Sequence, residues 1–272
     1  MRIVMIGDIV GKPGRRVVQQ QMPEIHRRYE PDFVIANAEN IAGGSGITPP
    51  LHQRLMSYGI DGVTLGDHVY RQREILPTLR DDPRISRPAN LPGAAVGRRW
   101  IELTAKDGRK LIVVTLLGRL FMGGAAADDP FAAADALLAQ FPRDATILLE
   151  IHAEATSEKV AMGHYLDGRV AAIVGTHTHI PTADAKVLAG GTAYITDLGM
   201  TGPYDSVLGR RKDRVLQYMT TAMPAAFDVA EGDPRLCGVF IETDDATGRA
   251  IRCERVEICA ELDKPPFSQN DE

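Results

Sequence analysis

Short apolar runs rich in Val, Ile and Leu recur along this chain up to Pro181, at residues 2–7, 33–37, 62–65, 111–117, 146–151 and 170–175. Stretches with helical character separate them, at 13–29, 49–58, 71–80, 126–140 and 153–166. Apolar strands this short belong inside a largely parallel sheet whose crossovers are helices. After Pro181 the texture becomes mostly β, with strands expected at 186–188, 192–196, 236–243 and 250–258. The turn at 244–248 predicts a hairpin between the last two. No linker marks the change, so the reading is α/β, a single domain over 1–272 with two sheets packed together. The polar tail 265–272 is expected to fray.

Each of five apolar runs leads directly into polar residues. These segments are Gly7-Asp8, Asn37-Ala38-Glu39-Asn40, Gly66-Asp67-His68, His152, and Gly175-Thr176-His177-Thr178-His179. Ligands of α/β sheets gather outside the C-terminal strand ends, so these side chains could converge. Asp, Glu, Asn and His together suit a hard or borderline divalent metal. Two ions about 3.5–4 Å apart would take roughly seven or eight protein donors. Asp8, Glu39, Asn40, Asp67, His152, His177 and His179 supply such a set, with Glu39 as the bridge.

Plainer roles stand beside these. Asp8 equally suits the cap of the next helix. Asp67-His68 suits an ordinary turn, and Glu39-Asn40 a loop running into Gly43–Gly46. His177 and His179, two apart, would share one face of a continuing strand. It is the conjunction of the five segments that favours metal. No cysteine lies among them, which disfavours iron–sulfur or structural zinc chemistry. Cys237, Cys253 and Cys259 lack CxxC spacing and read as reduced core thiols.

Lys and Arg number 31 against 36 Asp and Glu, a net charge of -5. Bulk charge therefore argues against coating DNA or an anionic membrane. No apolar stretch reaches the ~18–20 residues of a membrane helix, and no leader has signal-peptide form. A cytoplasmic location is expected. Residues 210–214 read as a solvated basic run, with a phosphate or RNA landing patch as its functional version. The glycines 43–46 either offer backbone N–H groups to a substrate or make a tight connection. His26, His52 and His164 read as structural or surface residues.

The ordered motifs resemble the calcineurin-like metallophosphoesterase superfamily, and more closely its bacterial 2',3'-cyclic-nucleotide 2'-phosphodiesterase branch. The runs 7–15, 37–48, 152–159, 175–179 and 194–203 carry the likeness, which extends to about Val256. The resemblance implies a four-layer α/β/β/α sandwich of two mixed sheets and a binuclear metal centre. One metal would take Asp8, Glu39, Asn40 and His179, and the other Glu39, Asp67, His152 and His177. Asn40 would replace a histidine that most superfamily members place at the position held here by Val10. His68 would be the general acid, while a metal-bridging hydroxide attacks phosphorus. Iron or manganese is expected, zinc is also compatible, and family members tend to form homo-oligomers. Thr201 and Pro203, within the last matched run, and Tyr204 beside it are expected at the pocket rim.

Two other functions fit the same residues. One is a metal-containing regulatory module that binds RNA or a protein partner with little catalysis. The other is a phosphomonoesterase of the same fold.

The family usually has Asn at position 67, and this chain has Asp67. The carboxylate removes one unit of positive charge from the centre, which weakens phosphate attraction or favours a trivalent ion. Asp67→Asn is therefore expected to change metal content or lower KM for a phosphodiester. Unchanged metal content together with unchanged KM would contradict this.

Overall fold

The computed structural model describes residues 1–124, 126–142 and 145–260. The expected tail 265–272 lies outside them. In chain order the elements are β1 (Arg2–Ile6), α1 (Gly11–Tyr29), β2 (Phe33–Asn37), α2 (Pro49–Ser57), β3 (Gly62–Thr64), α3 (Leu76–Asp81), β4 (Trp100–Thr104), β5 (Lys110–Leu117) and α4 (Pro130–Leu138). They continue with β6 (Thr146–His152), α5 (Thr156–Tyr165), β7 (Ala172–Thr176), β8 (Lys186–Val187), β9 (Ala193–Ile195), β10 (Gly202–Pro203), α6 (Lys212–Thr221), β11 (Pro234–Thr243) and β12 (Ala250–Cys259).

The strands form two mixed sheets. In the first, β3, β2 and β1 run parallel, and β11 adds antiparallel to β1, β10 and β12. The second has the order β4-β5-β6-β7-β9-β8, parallel from β5 to β9 with antiparallel edges.

Strand pleating assigns each side chain to a layer. Along β1, Ile3 and Met5 face the second sheet and join Ile35, Val113, Leu148, Val174, Ile195 and Val239 in a dry core between the sheets. Val4 and Ile6 face the other way, onto Val17, Val18, Ile25 and Leu55 of α1 and α2. On the second sheet, Val114, Leu149 and Ile173 face Leu137 and Met162 of α4 and α5. These three cores make the four-layer α/β/β/α arrangement. Both faces of the central strands are buried, which is why those strands read as unbroken apolar runs.

Several boundaries differ from the sequence reading. The helix expected from 126 starts at Pro130, because Asp129 accepts the Phe131 and Ala132 N–H groups as N-cap. The helix expected at 71–80 divides into a 3₁₀ turn, Arg73–Ile75, and α3, which carries Pro77 in its first turn. The helix expected from 153 starts at Thr156. The mostly-β second half is interrupted by α6, whose one buried residue, Val215, gives no apolar periodicity to read. Edge strand β4 offers no apolar run either, because only Ile101 is buried in it. The thiols also differ: Cys237 is buried, but Cys259 is exposed.

No helix among the described residues is long and apolar enough to cross a membrane. The expected hairpin of β11 and β12 is present, with a bulge between Glu242 and Thr243.

The approach of β7 to the segment after β9 leaves no room at Gly175, where a Cβ would lie 1.7 Å from the Thr196 carbonyl oxygen. Gly175→Ala must part these strands, at a cost of about 1–3 kcal/mol. A lowered urea midpoint is expected, and a wild-type midpoint would contradict the packing.

Candidate metal centre

All five polar segments lie at one end of the space between the sheets. Asp8, two residues past β1, is fully buried. Its Oδ2 accepts the His177 N–H at 3.2 Å, while its buried Oδ1 has no partner. Burial lifts the Asp8 carboxyl to about 7, although His152 counters part of that push. Asp8 does not cap α1, whose N-cap position is Val10.

Glu39 follows β2 and is 1% exposed. Asn37 Oδ1 holds its N–H at 3.0 Å, and its own Oε2 accepts the His68 N–H at 2.9 Å. Burial would raise the Glu39 carboxyl, but the adjacent His152 outweighs it and keeps it below the ordinary value.

His152 ends β6, with Nε2 3.1 Å from Asp67 Oδ1, 3.3 Å from Glu39 Oε1 and 3.1 Å from His177 Nδ1. Burial would lower its pKa, yet Glu39 and Asp67 raise it well above 6.5. The Asp67 carboxyl is held far below its usual range, since hydrogen bonds from His152 and His177 overcome its partial burial. Gly66 is glycine because a Cβ there would sit 2.2 Å from His152 Nε2.

One ligand atom each from Glu39, Asp67, His152 and His177 lies within 4.8 Å of the others. A second subset adjoins it through Asp8 and Asn40. Asn40 Nδ2 reaches Glu39 Oε1 at 3.2 Å and His179 Nε2 at 3.1 Å, while Oδ1 accepts from His68 Nδ1 at 2.7 Å.

The histidine pair is not on a continuing strand. β7 stops at Thr176, and His177 and His179 have φ of 92° and 64°. Non-glycine residues adopt that region only where the surroundings impose it. Here the buried Lys159 donates to the Thr176 carbonyl and to Asp197 Oδ2, both at 2.6 Å. Asp197 Oδ2 also accepts the Thr178 N–H and hydroxyl, and the His179 carbonyl accepts the Met200 N–H.

The outward ring nitrogens also have partners. His152 Nδ1 meets Thr176 Oγ1 at 2.9 Å, His177 Nε2 meets Glu154 Oε2 at 3.3 Å, and His179 Nδ1–H donates to the Leu208 carbonyl at 3.1 Å. Outer contacts of this kind fix the tautomer of a metal-binding histidine and aim its other nitrogen. Burial pushes the His179 pKa down, towards the neutral ring.

A family model described as "YmdB-like protein" matches residues 4–256. The chain belongs to the YmdB-like family. It is 45% identical over 259 residues to the 2',3'-cyclic-nucleotide 2'-phosphodiesterase of Bacillus subtilis, covering 95% of this chain and 97% of that one. Among solved structures, a hypothetical protein from Thermus thermophilus superposes with a TM-score of 0.89 at 39% identity, covering 96% of this chain and 100% of the other. A phosphatase from Mycoplasma pneumoniae gives 0.90 at 31% identity, covering 95% and 93%.

Elsewhere in this family member some sequence expectations hold and others give way. The glycine loop turns the Gly43 and Gly44 carbonyls towards the Arg210 guanidinium. Arg210 is therefore a half-buried strut, also bonded to the Phe227 carbonyl at 2.9 Å, and not part of a solvated run. Thr201 and Pro203 are buried where β10 meets β11, and the Tyr204 hydroxyl donates to the Met200 carbonyl at 2.9 Å. These contacts brace the fold. His52 is buried at 3.8 Å from Asp82, a structural role.

Glu150, Glu154, Lys159 and Asp197 were absent from the sequence expectations. A lone acid inside Leu148-Leu149-Glu150-Ile151 was the available signal for the first, and the matched runs 152–159 and 194–203 contained the rest.

Proposed function

We propose that this chain is a metal-dependent phosphodiesterase that hydrolyses 2',3'-cyclic nucleotides at a binuclear centre. The supporting observation is the convergence of Glu39, Asp67, His152 and His177 within 4.8 Å, with His68 beside them. The donor set fits a cation: carboxylates and imidazoles converge, and buried Asp8 Oδ1 has a lone pair with no donor to meet it. Asp8, Glu39, Asn40 and His179 would hold one ion, and Glu39, Asp67, His152 and His177 the other. Asn40 Oδ1 accepts from His68 Nδ1 and keeps a second lone pair that would face the first ion. Iron or manganese suits these ligands best, and zinc is also accepted. When bound, the ions would neutralise the phosphoryl oxygens and lower the pKa of a water.

The chain's own groups do the rest. Glu39 accepts the His68 N–H and so ties the acid to the metal ligands. His68 is placed to give the proton from Nε2 to the departing ribose oxygen, so that the ring opens to a monoester. Its ring is held at Nδ1 by Asn40. The side chains of Asp67, His68 and His177 are 26%, 26% and 23% exposed, which admits substrate. That openness favours catalysis over a purely structural or partner-binding metal, since structural sites are closed to solvent. The same reading places the enzyme in the cytoplasm as a single-domain subunit of a homo-oligomer.

The test uses leaving groups of different basicity. His68→Ala is expected to lower kcat for 2',3'-cyclic nucleotides by about 100- to 10,000-fold, the range for loss of a general acid. Bis(p-nitrophenyl) phosphate, whose leaving group departs without a proton, should lose far less. Equal losses on both would remove His68 as the acid. No turnover of either substrate by the wild type with manganese, iron or zinc would overturn the phosphodiesterase reading.

A further inference from the structure

Glu150 is fully buried midway along an apolar strand, outside the proposed ligand set. Its carboxylate reaches across the sheets. Oε1 accepts from Asn37 Nδ2 of the first sheet and from Thr176 Oγ1 of the second, both at 2.7 Å. Oε2 accepts from Thr115 Oγ1 at 2.8 Å. All these donors are neutral. Burying a carboxylate among neutral donors is costly, so a hydrophobic core alone gives no reason for it.

A carboxylate can only accept hydrogen bonds, so it dictates the direction of every bond around it. Thr176 has one hydroxyl proton, and Glu150 receives it. The Thr176 oxygen must then accept from His152 Nδ1, at 2.9 Å. His152 therefore carries a proton on Nδ1 and turns Nε2 to the centre, where Glu39, Asp67 and His177 converge. On the other side, Glu150 takes the Asn37 amide N–H. That leaves Asn37 Oδ1 to hold the backbone N–H of Glu39 at 3.0 Å. One buried charge thus orients ligands delivered by both sheets.

We propose that Glu150 is a positioning residue that sets metal affinity through Thr176–His152 and Asn37–Glu39 without touching metal. The proposal rests on the metal-centre reading above. Its negative charge behind Thr176 also makes His152 a stronger donor, as outer carboxylates do for metal-bound histidines.

The test measures Mn²⁺ and Zn²⁺ dissociation constants by chelator competition, with thermal midpoints as the record of folding. Thr176→Val, nearly isosteric, and Glu150→Gln are each expected to weaken binding by about 10- to 100-fold. Thr176→Ser, which keeps the hydroxyl, should stay close to wild type. Thr115→Val removes a donor from the same carboxylate but breaks no link to a ligand, so its affinity should also stay close to wild type.

Wild-type affinity in folded Thr176→Val would overturn the proposal, as would equal weakening by Thr115→Val and Thr176→Val. Should Glu150→Gln fail to fold, the three threonine variants decide the matter. A wild-type protein that binds neither ion overturns the metal-centre reading itself, whatever the variants do.

Discussion

Three carboxylates, Asp8, Glu39 and Glu150, are buried at one end of the space between the sheets, none more than 1% exposed. Isolated buried charges of one sign repel and lose their hydration, at a cost of several kcal/mol each. No lysine or arginine approaches these three closely enough to form an ion pair among the described residues. Imidazoles, amides and hydroxyls arranged to donate offset part of the cost, and the lone pairs left over, such as that of Asp8 Oδ1, point at a shared centre.

The topology makes the arrangement feasible. β1, β2 and β3 are parallel in one sheet, and β5, β6 and β7 in the other, and contacts between the residues that end or follow them place their C-terminal ends on the same side. Asp8, Glu39 and Asp67 come from the first sheet, and His152, His177 and His179 from the second. The centre therefore spans the seam between sheets, and Glu150 bridges that seam to Asn37. Behind it, the Lys159–Asp197 pair at 2.6 Å clamps the turn that carries His177 and His179. Such a buried pair secures geometry more dependably than it adds stability, because desolvation cancels much of its attraction.

Much of this was legible in the chain itself. Doubly buried parallel strands announce themselves as apolar runs, and residues of unlike chemistry at the ends of such runs stand out. Hence β1, β2, β6 and β7 are readable as strands, and Asp8, Glu39, Asn40, Asp67, His68, His152, His177 and His179, which the fold brings together, stand out after such runs. Elements with one weakly buried face could not: β4 buries Ile101 alone and α6 buries Val215 alone, too little for a periodic signal. The left-handed backbone at His177 and His179 was also hidden, because it is imposed by Lys159 and Asp197 from distant segments. Glu150 carries no expectation from the sequence. Its meaning depends on Asn37, Thr115 and Thr176, which the fold alone brings together. Arg210 misled for the opposite reason: residues 211–213 after it are exposed, but its guanidinium meets the carbonyls of residues 43 and 44.

The central claim is that these strand ends enclose two metal ions bridged by Glu39. Elemental analysis of the purified protein, wild type beside Glu39→Gln, tests it most directly. Two equivalents of iron, manganese or zinc per wild-type chain are expected, with a clear loss in the variant. A wild type that retains no metal after reconstitution with these ions, or a Glu39→Gln variant that keeps both equivalents, would contradict it.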